Sequence, residues 1–488
     1  MEESKVSFNK KGLTKKSQDI ATWYSEVVVK AKLADYSEVK GSMVIRPNGY
    51  ALWEKTQMIL DQKFKQDGVK NCYFPLLIPY YLLKKEKEHL QGFSPELAVV
   101  THAGGSELPE PYVIRPTSET IMYKTFAEWI QSHRDLPLKI NQWCNVVRWE
   151  KRTYPFLRTT EFLWQEGHTV HQTEPEAIEM AIRALGWYND FYRDYFAIAP
   201  YLGIKSDQER FAGAKTTYSV ELVIPNGRSL QGATAHNLGD NFSKAFDIAF
   251  LDNQGKKQRP FQTSWGLSTR SIGGLILVHG DDSGLILPPK VADPQLVVMV
   301  VSNKNGDKLE KIIEEAERII DGLKNEGWRV VLDKEVKNSL GYRINEWELQ
   351  GVPLRLEIGA TELEEKKVKF VRRDNFFKGF ISFSGLKKEV KIILDSIQDG
   401  LLSRSEKIKK DLTVEADNYQ EFKEIVKNKK MFIRAFWCEH KECEEAIKQE
   451  TKLTTRVLEL ERINDNLNGK CVYCGQPAKR KWLFAQSY

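Results

Sequence analysis

The stretch NVVRWEKRTYPFLRTTEFLWQE, Asn145–Glu166, mixes charge with residues that favour burial. Its flanks, rich in Val, Trp, Phe and Leu, read as two β-strands, yet Arg148, Glu150, Lys151, Arg152, Arg158, Glu161 and Glu166 lie within and between them. Side chains two apart share one face of a strand. Arg148 and Glu150 therefore point one way, and so do Arg158, Phe162, Trp164, Glu166 and His168 on the return. If the loop 151–157 closes a hairpin with position 150 opposite 158, both sets fall on one face. A slip of one residue would dismantle that face. A surface combining both signs of charge with aromatic rings suits a polyanion joined to a flat base. Arginine grips phosphate oxygens in bidentate fashion, and carboxylates hold Mg²⁺ or an ammonium.

Three further groupings carry polar chemistry. In Gly266–Pro289, GLSTRSIGGLILVHGDDSGLILPP, Ser268 or Thr269 caps a helix with Ile272, Leu275, Ile276 and Val278 inside it. Arg270 then sits in the first turn, where a cation opposes the helix dipole unless it holds an anion beside the N-terminus. In IRPTSET, Ile114–Thr120, Thr117 or Ser118 reads as the N-cap of the helix that follows. In SLQGATAHNLGDNFSKAF, Gln231, Thr234 and His236 surround a glycine. The segment FAGAKTTY has no glycine in the place a phosphate loop needs, and no G-x-G-x-x-G follows a strand, so nucleotide binding must use another scaffold.

Four of the six cysteines share one window near the C-terminus, Cys438-x₄-Cys443 and Cys471-x₂-Cys474-Gly. They supply four soft ligands for a closed, structural Zn²⁺ site, with Gly475 letting the backbone wrap the metal. His440 is an alternative ligand. Cys72 and Cys144 stand alone in apolar surroundings and read as small buried side chains.

The elements that must position these residues fall into three regions, expected at 1–290, 291–400 and 401–488. The first alternates strand and helix patterns. Gly49–Gly68 places Leu52, Trp53, Met58, Ile59 and Phe64 on one helical stripe, and CYFPLLIP reads as a short strand with a bend at Pro75. The second is a strand–helix–strand alternation typical of a compact α/β domain. The third opens with a charged helix and ends in the cysteine window. Hydrophobic residues at 41%, charged residues at 29% and a net charge of +6 exclude a purely charge-driven nucleic-acid binder. The polar N-terminus and the short apolar runs predict no secretory signal and no membrane span, hence a cytoplasmic protein.

Together these motifs resemble class II aminoacyl-tRNA synthetases, and within them the prolyl-tRNA synthetases of archaeal/eukaryotic-like type. Gly49–Leu77 is similar to the first class motif, VVRWEKRTYPFLRTTEFLWQEGHT to the second and GLSTRSIGGLILVHGDDSGLILPP to the third, while RPTSE and WQEGH narrow the likeness to proline. The resemblance implies an α+β protein: a catalytic domain on an antiparallel sheet, an α/β anticodon-binding domain and a small zinc-binding α/β domain. It implies ATP with Mg²⁺ as substrate and a proline–tRNA ligase that first makes prolyl-adenylate and then charges tRNA(Pro).

By the same resemblance, Arg148 and Arg270 are catalytic. Thr117, Glu119, Arg148, Trp164, Glu166, His168, His236 and Ser268 would surround L-proline. Arg148, Glu150, Arg158, Thr159, Gln231, Thr234 and Arg270 would hold ATP, with Glu150 and Gln231 towards Mg²⁺. Glu346 or Glu357, with Lys369, Arg372 and Arg373, would read the anticodon. The first motif implies a homodimer, and Tyr488 is expected against the catalytic domain. About 100 residues separate the second and third motifs, too few for the large editing insertion of bacterial-type enzymes. A threonyl, histidyl or glycyl enzyme, or a non-catalytic tRNA-binding paralogue, stays open as an alternative.

Overall fold

The computed structural model describes residues 12–83, 97–302 and 308–488; the polar N-terminal segment lies outside them. Its centre is a sheet of eleven strands. Seven belong to the catalytic region, in the spatial order Tyr201–Ile204, Thr216–Val223, Ser229–Gly239, Phe261–Ser268, Glu161–His171, Leu138–Val147 and Lys70–Asn71. All neighbours are antiparallel except the last pair.

The register of the charged hairpin follows the parity read from the sequence. Leu138 faces Val170, Cys144 faces Trp164 and Val147 faces Glu161, so the two numbers in each pair sum to 308, as 150 and 158 do. The ladder stops at Val147 and Glu161, so Arg148, Glu150 and Arg158 stand in the connecting loop rather than in strands. That loop still keeps the register, because the Arg148 amide donates to the Thr160 carbonyl at 2.8 Å.

Helices Pro47–Gln66 and Glu174–Asp190 cover one face of the sheet, burying Leu52, Trp53, Leu60, Phe64, Ala184 and Tyr188. Trp53 meets Trp143 edge-on at 5.7 Å, and Phe64 lies 5.3 Å from Trp187. Such ring pairs add about 0.5–1.5 kcal/mol each beyond the area they bury. Met58, expected on this stripe, is 57% exposed, because the turn of about 100° per residue puts it on the side of the helix opposite the buried Thr56, Ile59 and Leu60. The single strand expected at CYFPLLIP is instead broken around Pro75. Lys70–Asn71 joins the large sheet, and Leu77–Pro79 joins a separate three-stranded one.

The second region carries a five-stranded sheet in the order Val330–Asp333, Leu296–Val300, Leu354–Ile358, Lys367–Arg372, Lys378–Ser382, with the first three strands parallel. The helix Leu386–Asp411 runs unbroken across position 400. It docks on the catalytic region, where Gln398 donates to the Asp194 carbonyl at 3.0 Å and Arg193 pairs with Glu406 at 2.7 Å.

Apart from a two-stranded ladder of Gly469–Lys470 with Pro477–Ala478, the C-terminal region does not form a sheet of its own. Strands Thr413–Glu415, Phe432–Trp437, Arg480–Ala485 and Thr454–Glu459 extend the large sheet, joined through Glu459 opposite Gly203. A buried ion cluster marks this seam: Glu221 is fully buried and accepts from Lys205 at 2.7 Å and from Arg456 at 2.8 Å. Among the described residues no helix is long and apolar enough to cross a membrane.

Candidate active site

The face of the catalytic sheet opposite its helices carries a cavity of about 200 Å³. Phe162, Trp164, Glu166 and His168 line it from one strand, Ser264, Gly266 and Ser268 from the next, and Thr234 and His236 from the third. Gln231 also reaches it, although 231 and 234 have opposite parity. A β-bulge accounts for this: Val220 pairs with Ala233, but Glu221 pairs with Gln231. Gly232 occupies the bulge, and a Cβ there would stand 2.6 Å from the Tyr192 hydroxyl, which donates to the Gly232 carbonyl.

The turn before the helix Glu119–Trp129 closes one end of the cavity. Arg115 pins that turn to the hairpin, donating to the Asn145 carbonyl at 2.8 Å and the Phe74 carbonyl at 2.7 Å. Ser118 occupies the N-cap position, yet neither Thr117 nor Ser118 caps the helix. The Thr117 hydroxyl donates to Glu119 and the Ser118 hydroxyl to Glu166. The expected caps thus serve the site, and Glu119 in the first turn is the anion that the helix N-terminus favours.

Glu166 is buried at the centre of a network. It accepts from Gln142 at 2.6 Å and lies 3.2 Å from the Nε2 of His168, whose Nδ1 meets the Tyr123 hydroxyl at 3.0 Å. Burial raises its carboxyl, but the hydrogen bonds from His168, Ser118 and Gln142 outweigh this and hold it below the ordinary value. His236 behaves oppositely. Burial, helped by His168 nearby, lowers it to about 3, so the ring is neutral at pH 7. It hydrogen-bonds Thr217 at 3.0 Å and packs 4.6 Å from Phe211.

Arg148 lies 5.5 Å from the centres of both the Phe162 and the Trp164 rings and donates to the Pro116 carbonyl at 3.1 Å. A guanidinium held over two rings keeps its plane fixed. Arg270 donates from Nε to the Leu157 carbonyl at 2.9 Å, and its backbone amide donates to the Ser268 hydroxyl oxygen at 3.2 Å. Burial, then Arg158, pulls its pKa below the usual value. Glu150 pairs with Arg158 at 2.6 Å in an adjoining lobe that Gln231 and Arg270 also line.

Thr159 is the exception among the residues expected at ATP. Its hydroxyl donates to the Glu161 carbonyl at 2.7 Å, and its side chain faces a separate groove beside Met43 and Tyr50. Gln142, Phe211, Thr217 and Glu209 belong to the site but were not expected there. Extending the hairpin parity backwards would have found Gln142, which pairs with Glu166. Phe211 and Thr217 come from the very segment set aside as a failed phosphate loop.

The four thiols lie within 4.8 Å of one another, with Cys438–Cys443 at 3.6 Å and Cys438–Cys474 at 3.8 Å. A tetrahedron with Zn–S bonds of about 2.3 Å has edges of about 3.8 Å, so this donor set fits a Zn²⁺ ion. Gly475 has φ +73°, as the expected turn around a metal requires. His440 stands outside the group.

The expected anticodon residues divide. Lys369 pairs with Glu357 at 2.7 Å and Arg372 with Asp374 at 2.8 Å, with Lys369 half-buried and Arg372 largely so. Glu346 pairs with Lys32 of the catalytic region at 2.9 Å. Arg373 is a correction. It is 3% exposed and clamps Asp281 through bonds of 2.9 and 2.6 Å, so it joins two regions instead of facing a base.

Residues 102–279 match the class II tRNA synthetase core domain (G, H, P, S and T), residues 295–392 the anticodon-binding domain and residues 419–488 the prolyl-tRNA synthetase C-terminal domain. The proline–tRNA ligase of Borrelia garinii subsp. bavariensis is 48% identical over 484 residues, covering 98% of this chain and 99% of that protein. The chain belongs to the prolyl-tRNA synthetase family. The proline–tRNA ligase of Chlorobium limicola is likewise 48% identical over 482 residues, covering 98% of this chain and 99% of that one. The crystal structure of prolyl-tRNA synthetase from Cryptosporidium parvum complexed with halofuginone and AMPPNP superposes with a TM-score of 0.93 at 43% identity, covering 97% and 99% of the two chains. The family gives the cavity its context: a class II core with a proline-type C-terminal domain attached.

Proposed function

We propose that this protein is a proline–tRNA ligase that makes prolyl-adenylate from L-proline and ATP and then charges tRNA(Pro). One observation carries the site assignment: a cavity of about 200 Å³ is lined by carboxylates and by a ring-clamped arginine, and it shares Gln231 and Arg270 with a cationic lobe. A compact zwitterion has a partner there for each of its charges. Glu119 and Thr117 accept from the secondary ammonium of proline. Burial keeps the His236 ring neutral, so it adds no cation beside that ammonium. Trp164, His168 and His236 form the walls for the ring, with Ser268 at the side nearer ATP.

The proline carboxylate oxygen attacks the α-phosphorus, the bond to the bridging oxygen breaks and pyrophosphate leaves with the electron pair. Arg148 meets the charge that grows on the α-phosphate, and Arg158 and Arg270 hold the leaving phosphates. Gln231 and Thr234 flank the ATP, Glu150 faces its phosphates, and Thr159 contributes through its backbone. Glu150 and Gln231 would hold Mg²⁺ together with the substrate phosphates, and the ion would offset part of their charge. No protein nucleophile is needed, because orientation and fixed charge supply the catalysis. A terminal ribose hydroxyl of the tRNA then attacks the prolyl carbonyl and releases AMP.

The domains are assigned as catalytic (1–290), anticodon-binding (291–400) and zinc-binding (401–488). A Zn²⁺ ion held by Cys438, Cys443, Cys471 and Cys474 would cross-link the last of these. Lys369, Arg372 and Glu346 remain the anticodon candidates. Phe377 and Phe380, 59% and 56% exposed on the adjacent turn and strand, add rings on which bases stack. A homodimer would cover Tyr36, Val44, Met58, Tyr73 and Leu77, apolar yet exposed on the paired strands Ala34–Tyr36 and Met43–Ile45, on the helix Pro47–Gln66 and after it. The chemistry is cytoplasmic. Charging of tRNA(Pro) with labelled proline tests the reading, and failure to charge it with folded protein, ATP and Mg²⁺ contradicts it.

A further inference from the structure

Beyond Gln231 and Arg270 the active-site cavity continues into a second lobe of about 580 Å³, nearly three times the first. Besides Arg270, its cations come from three separate parts of the chain. The hairpin loop gives Arg152 and Arg158, the turn before Ser229 gives Arg228, and the C-terminal region gives Lys430, Arg456 and Tyr488. Two of these cations are compensated, Arg158 by Glu150 at 2.6 Å and Arg456 by Glu221 at 2.8 Å. Among the described residues Arg152, Arg228 and Lys430 have no carboxylate at ion-pair distance. The Nε of Arg228 is buried and has no hydrogen-bond partner.

The cluster is built rather than incidental. Arg228 lies 5.6 Å from the centre of the Tyr488 ring. Tyr488 donates from its amide to the Ser229 carbonyl at 2.9 Å, and the Ser229 amide donates to the Gln486 carbonyl at 2.9 Å. Gly227 packs so close to Lys430 that a Cβ would stand 1.8 Å from the Lys430 carbonyl oxygen. Burial and the neighbouring Arg228 lower the Lys430 pKa, as expected of like charges brought together without an anion between them. Holding uncompensated cations together is unfavourable unless an anion visits them.

We propose that this lobe receives the pyrophosphate released in the activation step, with Arg152, Arg228 and Lys430 binding it as it moves off Arg158 and Arg270. The inference rests on the activation reaction proposed above. A diphosphate carries about three negative charges near pH 7, one for each uncompensated cation. Moving it into the second lobe separates it from the adenylate and disfavours reversal, while Gln231 and Arg270 keep the two lobes continuous.

The test is proline-dependent pyrophosphate–ATP exchange on the full chain, comparing Arg228→Gln, Lys430→Gln and the double substitution with the unmutated protein. Each single change is expected to raise the KM for pyrophosphate about tenfold, the effect of one lost charge-assisted contact. The KM for ATP, measured in forward adenylate formation, should rise far less. An equal rise in both constants overturns the proposal and places the residues in the triphosphate site. An unchanged pyrophosphate KM with a raised KM for tRNA overturns it in favour of the acceptor strand. Lys430 is exposed, so its variant decides the matter even if the Arg228 variant does not fold. Absence of any exchange by the unmutated protein refutes the activation reading and this inference with it.

Discussion

Replacing Glu221 by glutamine should loosen the seam between the catalytic region and the C-terminal region. The carboxylate is fully buried and serves Lys205 at 2.7 Å, Arg456 at 2.8 Å, Ser219 at 2.8 Å and Ser229 at 2.6 Å. Removing one partner of a buried ion pair costs about 3–5 kcal/mol, because the charge left behind stays desolvated. The titration of the group leads to a similar figure. Burial raises its pKa, but Arg456, Lys205 and Ser229 outweigh that and bring it to about 2, against 4.5 ordinarily. That difference is worth about 3 kcal/mol.

The folded value lies below the unfolded one, so this stability is present above pH 4.5 and is lost as pH falls towards 2. Urea denaturation followed by tryptophan fluorescence should therefore show Glu221→Gln less stable by about 3 kcal/mol at pH 7, with the gap narrowing below pH 4.5. Lys205→Met is the control. It leaves Glu221 and Arg456 paired one to one in similar volume and should cost under about 1.5 kcal/mol. A Glu221→Gln loss below about 1 kcal/mol, or a Lys205→Met loss as large, would refute the reasoning.

Three buried histidines set a second pH dependence. Burial lowers His171 to about 4 and His236 and His279 to about 3. Their stability is present above the ordinary value of 6.5 and is lost on acidification, so unfolding at pH 5 should take up about three protons through them. His236→Gln should remove about one of these from the pH dependence of the denaturation midpoint. Arg148→Lys should lower the adenylation rate in a rapid-quench assay by about 10²–10³-fold, since an ammonium cannot reproduce the stacked, forked donor. Cys474→Ala should lower zinc content, read by atomic absorption, and make residues 419–488 more sensitive to protease, while the catalytic strands keep their hydrogen-exchange protection.

Much of the site was legible because a strand has only two faces. Parity alone put Phe162, Trp164, Glu166 and His168 on one surface, and the ladder has the register that pairs 150 with 158. The thiol window was equally readable, since ligand spacing is local. What escaped depended on contacts distant in sequence. Gln231 joins the site only through a bulge fixed by Tyr192, and Ser118 gives up its capping role for Glu166, 48 residues away. Arg373 lies in a basic run that reads as an RNA-binding edge, but the partner that buries it, Asp281, is 92 residues earlier. The continuous eleven-stranded sheet was hidden for the same reason, because Glu459 and Gly203 meet only in the folded chain.

The most direct test of the central claim is amino-acid-dependent pyrophosphate–ATP exchange without tRNA, comparing proline with threonine, histidine, glycine and alanine. Exchange should be driven chiefly by proline and abolished by Arg270→Ala. Exchange driven by another amino acid would keep the ATP site and contradict the proline pocket. No exchange with any of them, from folded protein supplied with Mg²⁺, would contradict the activation chemistry itself.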